Sequence, residues 1–263
     1  MVRQKPQTDK NFDSLAKRFQ KNIYTSRKGQ LRLETLWRDI NQQIPELNQQ
    51  PLNILDAGGG QGQFSLMLAA QGHKITLCDY SEAMLELAHQ NFRDAGLESQ
   101  ITLLHSPIQE LPHWLAGEQF DGILCHAVTE WLADPQETLS VLPEMIRSGG
   151  WLSLMAYNLD ALIFFNIVRG NLDRVLAQQF RGTGKTLTPT NPQKPDTVLS
   201  WINQWGLTLK SQTGIRCFGD WLQGDWKESE TELEKLQQIE QMYSQLEPFK
   251  NLARYIHFFA SKP

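Results

Sequence analysis

Three observations predict an α/β fold with a doubly wound, mostly parallel sheet, amino-terminal helices and an inserted segment. Short apolar runs recur between residues 52 and 157, stretches of helical period separate them, and the first run ends in a glycine-rich turn. Strands joined through helices at this spacing are parallel. LNILDAG (52–58) is the first expected strand, followed by a helix over 63–71, a strand over 73–79 and a helix over 81–95. Ser81 is placed to cap that last helix and Gly96 to stop it. Residues 101–106 give the third strand, 108–115 a short helix, 120–127 the fourth strand and 135–146 the returning helix. A turn at Gly149 and Gly150 then leads into a strand over 151–157.

Outside this rhythm the pattern changes. Residues 12–23 and 30–40 predict two basic helices, and 162–179 predicts a moderately apolar one. RGTGKTLTPTNPQKP (181–195) carries too much Gly, Thr and Pro for a core element and reads as exposed. A helix over 197–205, a strand over 206–218, an amphipathic helix over 228–245 and a closing strand over 254–262 follow, the two strands forming a hairpin-like pair. The expected organisation is one unit over 1–263: an amino-terminal extension (1–45), a ligand-binding half (52–157), an insertion (158–194) and a carboxyl-terminal part (195–263).

Composition narrows the function. The polar start MVRQKPQTDK lacks the apolar block of a signal peptide, and no stretch approaches the roughly 18 apolar residues of a membrane span. Cys78, Cys125 and Cys217 are far apart, and no pair among the six histidines has HExxH or HxH spacing, so neither a disulfide framework nor a metal site is expected. The cytoplasm is the expected compartment. The net charge of −4 divides unevenly: residues 1–40 carry +6, 41–159 carry −11, 160–219 carry +4 and 220–263 carry −3. Two basic segments flanking an acidic middle suit a polyanionic partner.

The chemistry concentrates in Asp56-Ala57-Gly58-Gly59-Gly60-Gln61-Gly62. A GxGxxG fingerprint fails, because Gln63 and Ser65 stand where its last glycine belongs, which disfavours dinucleotides. The acid-x-Gly-x-Gly-x-Gly pattern instead resembles the first motif of S-adenosylmethionine-dependent methyltransferases, making the sheet Rossmann-like. Asp79, which ends the second strand, is suited to accept both ribose hydroxyls of an adenosine.

NFDSLAKRFQKNIY, KGQLR, LDAGGGQGQ, HAVTEW, LSLMAYN and RYIH together resemble one bacterial family, the tRNA 5-carboxymethoxyuridine methyltransferases, over nearly the whole chain. The resemblance implies methylation of a carboxylate on the tRNA wobble uridine. It implies S-adenosylmethionine contacts at Arg32, Gly58, Gly59, Gly60, Asp79, Ile108, Gln109 and His126. Tyr157, Arg169, Arg174 and Arg216 are substrate candidates by neighbourhood, with no essential catalytic base and His126 in a positioning role. The alternatives are a methyltransferase for a small carboxylic acid or lipophilic metabolite, and a noncatalytic RNA-binding protein.

Overall fold

The computed structural model describes residues 8–16, 26–182, 187–222 and 229–263. The helix expected over 12–23 lies outside the described residues from position 17 onward, as does Lys185 of the insertion.

Among the described residues seven strands form one sheet: β1 Asn53–Ala57, β2 Lys74–Asp79, β3 Ile101–His105, β4 Phe120–His126, β5 Ile146–Tyr157, β6 Thr208–Ile215 and β7 Tyr255–Ser261. The spatial order is β3-β2-β1-β4-β5-β7-β6. The first five strands are parallel, and β7 runs antiparallel between β5 and β6. The helices are α1 Arg27–Gln43, α2 Gln63–Ala69, α3 Glu82–Asp94, α4 Leu111–Trp114, α5 Pro135–Leu139, α6 Leu159–Val168, α7 Leu172–Leu176, α8 Pro195–Gln204 and α9 Glu230–Tyr243.

Strand β1 is buried after its first residue, as a parallel strand covered on both faces must be. On one face Leu36 and Ile40 of α1 pack with Ile54, Leu124, Met155 and Phe259. On the other, Val198, Trp201 and Ile202 of α8 pack with Ile123, Leu152 and Phe258. Small polar side chains set the helix starts: Ser81 accepts from the Met84 N–H at 3.3 Å and Ser26 from the Gly29 N–H at 3.1 Å. The chain leaves β1 and β4 in opposite lateral directions, toward β2 and β5, so a crevice opens beyond their carboxyl ends.

Three expectations need correction. The helix over 162–179 is two helices, broken at Gly170, which takes φ +71°. The helix over 135–146 ends at Leu139, and a 3-10 turn over Leu142–Met145 delivers the chain to β5, which begins at Ile146 and runs through the expected Gly149–Gly150 turn. As expected, β6 and β7 pair antiparallel with α9 between them in the chain. The described part of 181–195 is strapped down: the Thr190 and Asn191 N–H groups donate to the Glu130 carbonyl, and the buried Asn191 side chain donates to the Leu132 carbonyl at 3.0 Å.

Candidate active site

The turn after β1 forms the floor of a cleft. Gly58 and Gly59 both donate their N–H to the Cys78 carbonyl, at 2.9 and 3.1 Å, which pins the turn to β2. A side chain has no room there: a Cβ on Gly59 would stand 2.7 Å from Asp56 Cγ, and one on Gly58, at φ +74°, would stand 2.7 Å from Val128 Cγ2. The Gly60 N–H donates to Asp79 Oδ2 at 2.9 Å and the Ser81 N–H to Oδ1 at 2.8 Å, so the Asp79 carboxylate is held in a fixed orientation. Burial raises its pKa, and those two N–H donors offset the rise only in part. Asp56, deeper in the turn, accepts from the Ser65 hydroxyl at 2.6 Å, and burial pushes its carboxyl up to about 7.

All eight residues expected at the cofactor line this one cleft: Arg32, Gly58, Gly59, Gly60, Asp79, Ile108, Gln109 and His126. Phe12, Met84 and Trp131 join them. Asp9 closes one side, accepting from the Ala133 N–H at 2.8 Å and from Gln109 Nε2 at 3.3 Å. His126 ends β4, and burial holds its pKa well below the usual imidazole value, so the ring is neutral at physiological pH.

A second, polar cavity shares Arg32, Ala127 and Trp131 with the first. Among the described residues, five basic side chains line it, Lys28, Arg32, Arg169, Arg216 and Arg254, against two acids, Glu130 and Asp220. Asp220 accepts from Arg216 Nη2 with both oxygens at 2.6 Å, from Arg254 Nε at 2.9 Å and from Lys28 Nζ at 3.1 Å. Burial works against this carboxylate, but Arg216, Arg254 and Lys28 outweigh it and hold the pKa far below the carboxylate range. Arg254 also donates to the Tyr157 hydroxyl at 2.9 Å, and burial lifts the Glu130 carboxyl to about 7. Ala127 and Arg216 occupy the left-handed region, at φ 58° and 63°, which is uncommon for residues with a Cβ and marks backbone held by its surroundings.

Of the four substrate candidates, Tyr157, Arg169 and Arg216 line this cavity. Arg174 does not: α7 carries it away, and its Nε donates to the Gln179 carbonyl at 2.7 Å. Lys28, Glu130, Asp220 and Arg254 escaped the sequence reading as site residues, although Glu130 sits in HAVTEW and Arg254 opens RYIH. No local pattern links Asp220 to partners 4, 34 and 192 positions away.

Comparison with known proteins agrees with this geometry. A family profile described as a methyltransferase domain matches residues 55–154. The tRNA 5-carboxymethoxyuridine methyltransferase of Escherichia coli K12 is 39% identical over 255 residues, 97% of each chain. A ubiquinone biosynthesis O-methyltransferase of Ruegeria is 35% identical, over 62% of this chain and 63% of that one. Among solved structures, the magnesium protoporphyrin IX methyltransferase of Synechocystis superposes with a TM-score of 0.65 at 16% identity, covering 96% of each chain, which supports the fold.

Proposed function

The chain belongs to the tRNA 5-carboxymethoxyuridine methyltransferase family, and from that premise we propose that it methylates the carboxylate of 5-carboxymethoxyuridine at the wobble position of tRNA, using S-adenosylmethionine and working in the cytoplasm. One observation carries this reading: a glycine-floored cleft with an oriented carboxylate meets a cavity with a surplus of cations, across a wall made by Arg32, Ala127 and Trp131.

The cleft fits the cofactor. The turn holds its shape only because Gly58 and Gly59 lack Cβ atoms, which would strike Val128, Asp56 and Leu77, and the lone pairs that Asp79 keeps beyond its two N–H donors suit vicinal ribose hydroxyls. Ile108 and Gln109, which line the same cleft, would flank an adenine, and Arg32 would supply a cation for an amino-acid carboxylate. When bound, S-adenosylmethionine supplies an electrophilic methyl group.

The acceptor needs no general base. A carboxylic acid with a pKa near 4 is already ionised at neutral pH, so the protein's work is to hold the anion in line and to exclude water. Arg216 and Arg254 are suited to hold that anion, because Asp220 fixes their guanidinium planes before substrate arrives, and planar guanidinium groups match carboxylate geometry. Tyr157, through its bond to Arg254, and Arg169 complete the wall. A lipophilic acceptor would instead find its pocket lined with charge.

The test is methyl transfer from labelled S-adenosylmethionine to tRNA bearing 5-carboxymethoxyuridine, with nucleoside mass analysis. The expected product is an ester that mild alkali returns to the acid. Label appearing on small carboxylic acids and not on tRNA would overturn the reading.

A further inference from the structure

Behind His126 lies a chain of polar groups in an otherwise apolar core. His126 and His257 both sit opposite Met155 in the sheet register, so all three share one face, and Ser153, two residues earlier on β5, shares it too. His126 Nε2 lies 2.7 Å from Ser153 Oγ, and Ser153 Oγ lies 2.7 Å from His257 Nε2. His257 Nδ1 is hydrogen-bonded to Asp39 Oδ2, contributed by α1. Ser153, His257 and Asp39 are all 0% exposed. The Asp–His–Ser order is that of a hydrolase triad, but a buried serine oxygen held between two imidazoles is no nucleophile.

We propose that Asp39, His257 and Ser153 are positioning residues that fix the tautomer of His126, leaving its Nδ1 as a bare acceptor toward the cleft. The argument is a count of protons. An ionised Asp39 only accepts, so His257 Nδ1 carries a proton. Taken as neutral, His257 has a lone pair on Nε2, which takes the Ser153 proton. The Ser153 oxygen, having donated, accepts from His126 Nε2–H. With Nε2 so committed, the nitrogen that His126 has left for the cleft is Nδ1, without a proton. Burial opposes the charge on Asp39, but hydrogen bonds from His257 and Thr213 and the nearby Arg38 cation work against it, in keeping with the ionised form; a charge on His257, which would lower the Asp39 pKa further, belongs to the other proton arrangement. The alternative proton arrangement, an imidazolium at His257, would reverse both later bonds and present Nδ1–H.

The inference rests on the proposed function in one respect, that the cleft holds a cofactor carrying positive charge, for which a bare nitrogen is the compatible partner and an N–H is not. It also explains why a buried chain of polar groups is kept where apolar packing would serve the fold: each member orients the next, as the partners of a metal-bound histidine do.

Asp39→Asn provides the test. Asp39 Oδ1 accepts from Gln245 Nε2 at 3.2 Å and Ser211 Oγ at 3.5 Å, so the asparagine carbonyl belongs on that side and its NH2 faces His257. That donor moves the His257 proton to Nε2, turns the Ser153 hydroxyl toward His126 and puts a proton on His126 Nδ1. No proton is gained or lost. Long-range 1H–15N correlation spectra of the cofactor-free, 15N-histidine-labelled chain, assigned with His126→Gln and His257→Gln, read both nitrogens directly. Wild type should show Nδ1 bare and Nε2 protonated at His126, and Asp39→Asn the reverse. Ser153→Ala should leave His126 in a mixture of tautomers, and in Asp39→Asn/Ser153→Ala the reversal should no longer reach it. Calorimetry should find S-adenosylmethionine bound about tenfold more weakly to Asp39→Asn. A protonated Nδ1 in wild type, or a His126 signal untouched by Asp39→Asn or by Ser153→Ala, would overturn the inference. Should Asp39→Asn fail to fold, the wild-type and Ser153→Ala spectra still decide. The expected tautomers without any cofactor binding would instead overturn the functional reading and leave the relay standing.

Discussion

The two cavities are built on different principles. In the glycine-floored cleft the parts that set the geometry are mostly backbone: a glycine turn and the N–H groups of Gly60 and Ser81, which orient a carboxylate 23 residues beyond Asp56. In the cationic cavity they are side chains from distant segments, with Asp220 gathering Lys28, Arg216 and Arg254. A site made of backbone leaves a compact trace in the sequence, since only glycine fits at particular positions. One made by an ion network leaves isolated charges that read as solvated surface.

That contrast can be broken or sharpened by mutation. Gly59→Val, which drives a side chain into Asp56 and Leu77, should weaken S-adenosylmethionine binding by about a hundredfold or more by calorimetry. Unchanged affinity in a folded variant would remove the glycine floor from the binding site. Asp220→Ala should leave cofactor affinity within about twofold while kcat/KM for tRNA falls by about thirtyfold, because Arg216 and Arg254 lose the anion that orients them. Equal losses in both measurements would mean that the cavities are not separable. Smaller still, Arg169→Ala should raise the KM for tRNA by about fivefold and Arg174→Ala should not change it, in line with the side of the cavity on which each lies.

The smallest expected effect is thermodynamic. The Glu130 carboxyl is raised to about 7 by burial, so between its unfolded value near 4.3 and about pH 7 the folded protein binds the extra proton. Stability from this group therefore falls as pH rises through that window, and above it the folded state carries a buried charge. Glu130→Gln, which keeps the shape without the charge, should gain in Tm relative to wild type as pH goes from 5.5 to 8, by about 3 °C. A constant difference across the two pH values would show that Glu130 is ionised throughout.

How much was legible follows the same division. The βα alternation from β1 to β5, the Ser81 cap and the acid that ends β2 were legible because each depends on neighbours in sequence. His126 could be placed at the end of β4, but its hydrogen-bonding role could not, since its partners lie 27 and 131 positions away, and the last link spans 218. The broken helix over 162–179 was missed because an apolar run outweighed the one glycine able to adopt a left-handed turn. The 181–195 segment was misjudged from composition. Its Gly, Thr and Pro content does exclude regular structure, but irregular backbone can be buried when it finds partners, as Asn191 does at the Leu132 carbonyl.

The wall of Arg32, Ala127 and Trp131 also has a pharmacological consequence. An adenosine group that occupies the glycine cleft ends next to a chamber that favours anions, so a ligand carrying an adenosine and a carboxylate on one short tether would engage both at a high effective concentration. Related methyltransferases can share the adenosine half of such a compound, but only an enzyme with a cationic second chamber rewards the other half. Selectivity for this chain would therefore reside in the tail, and Asp220→Ala should erase it while leaving the affinity of plain adenosine intact.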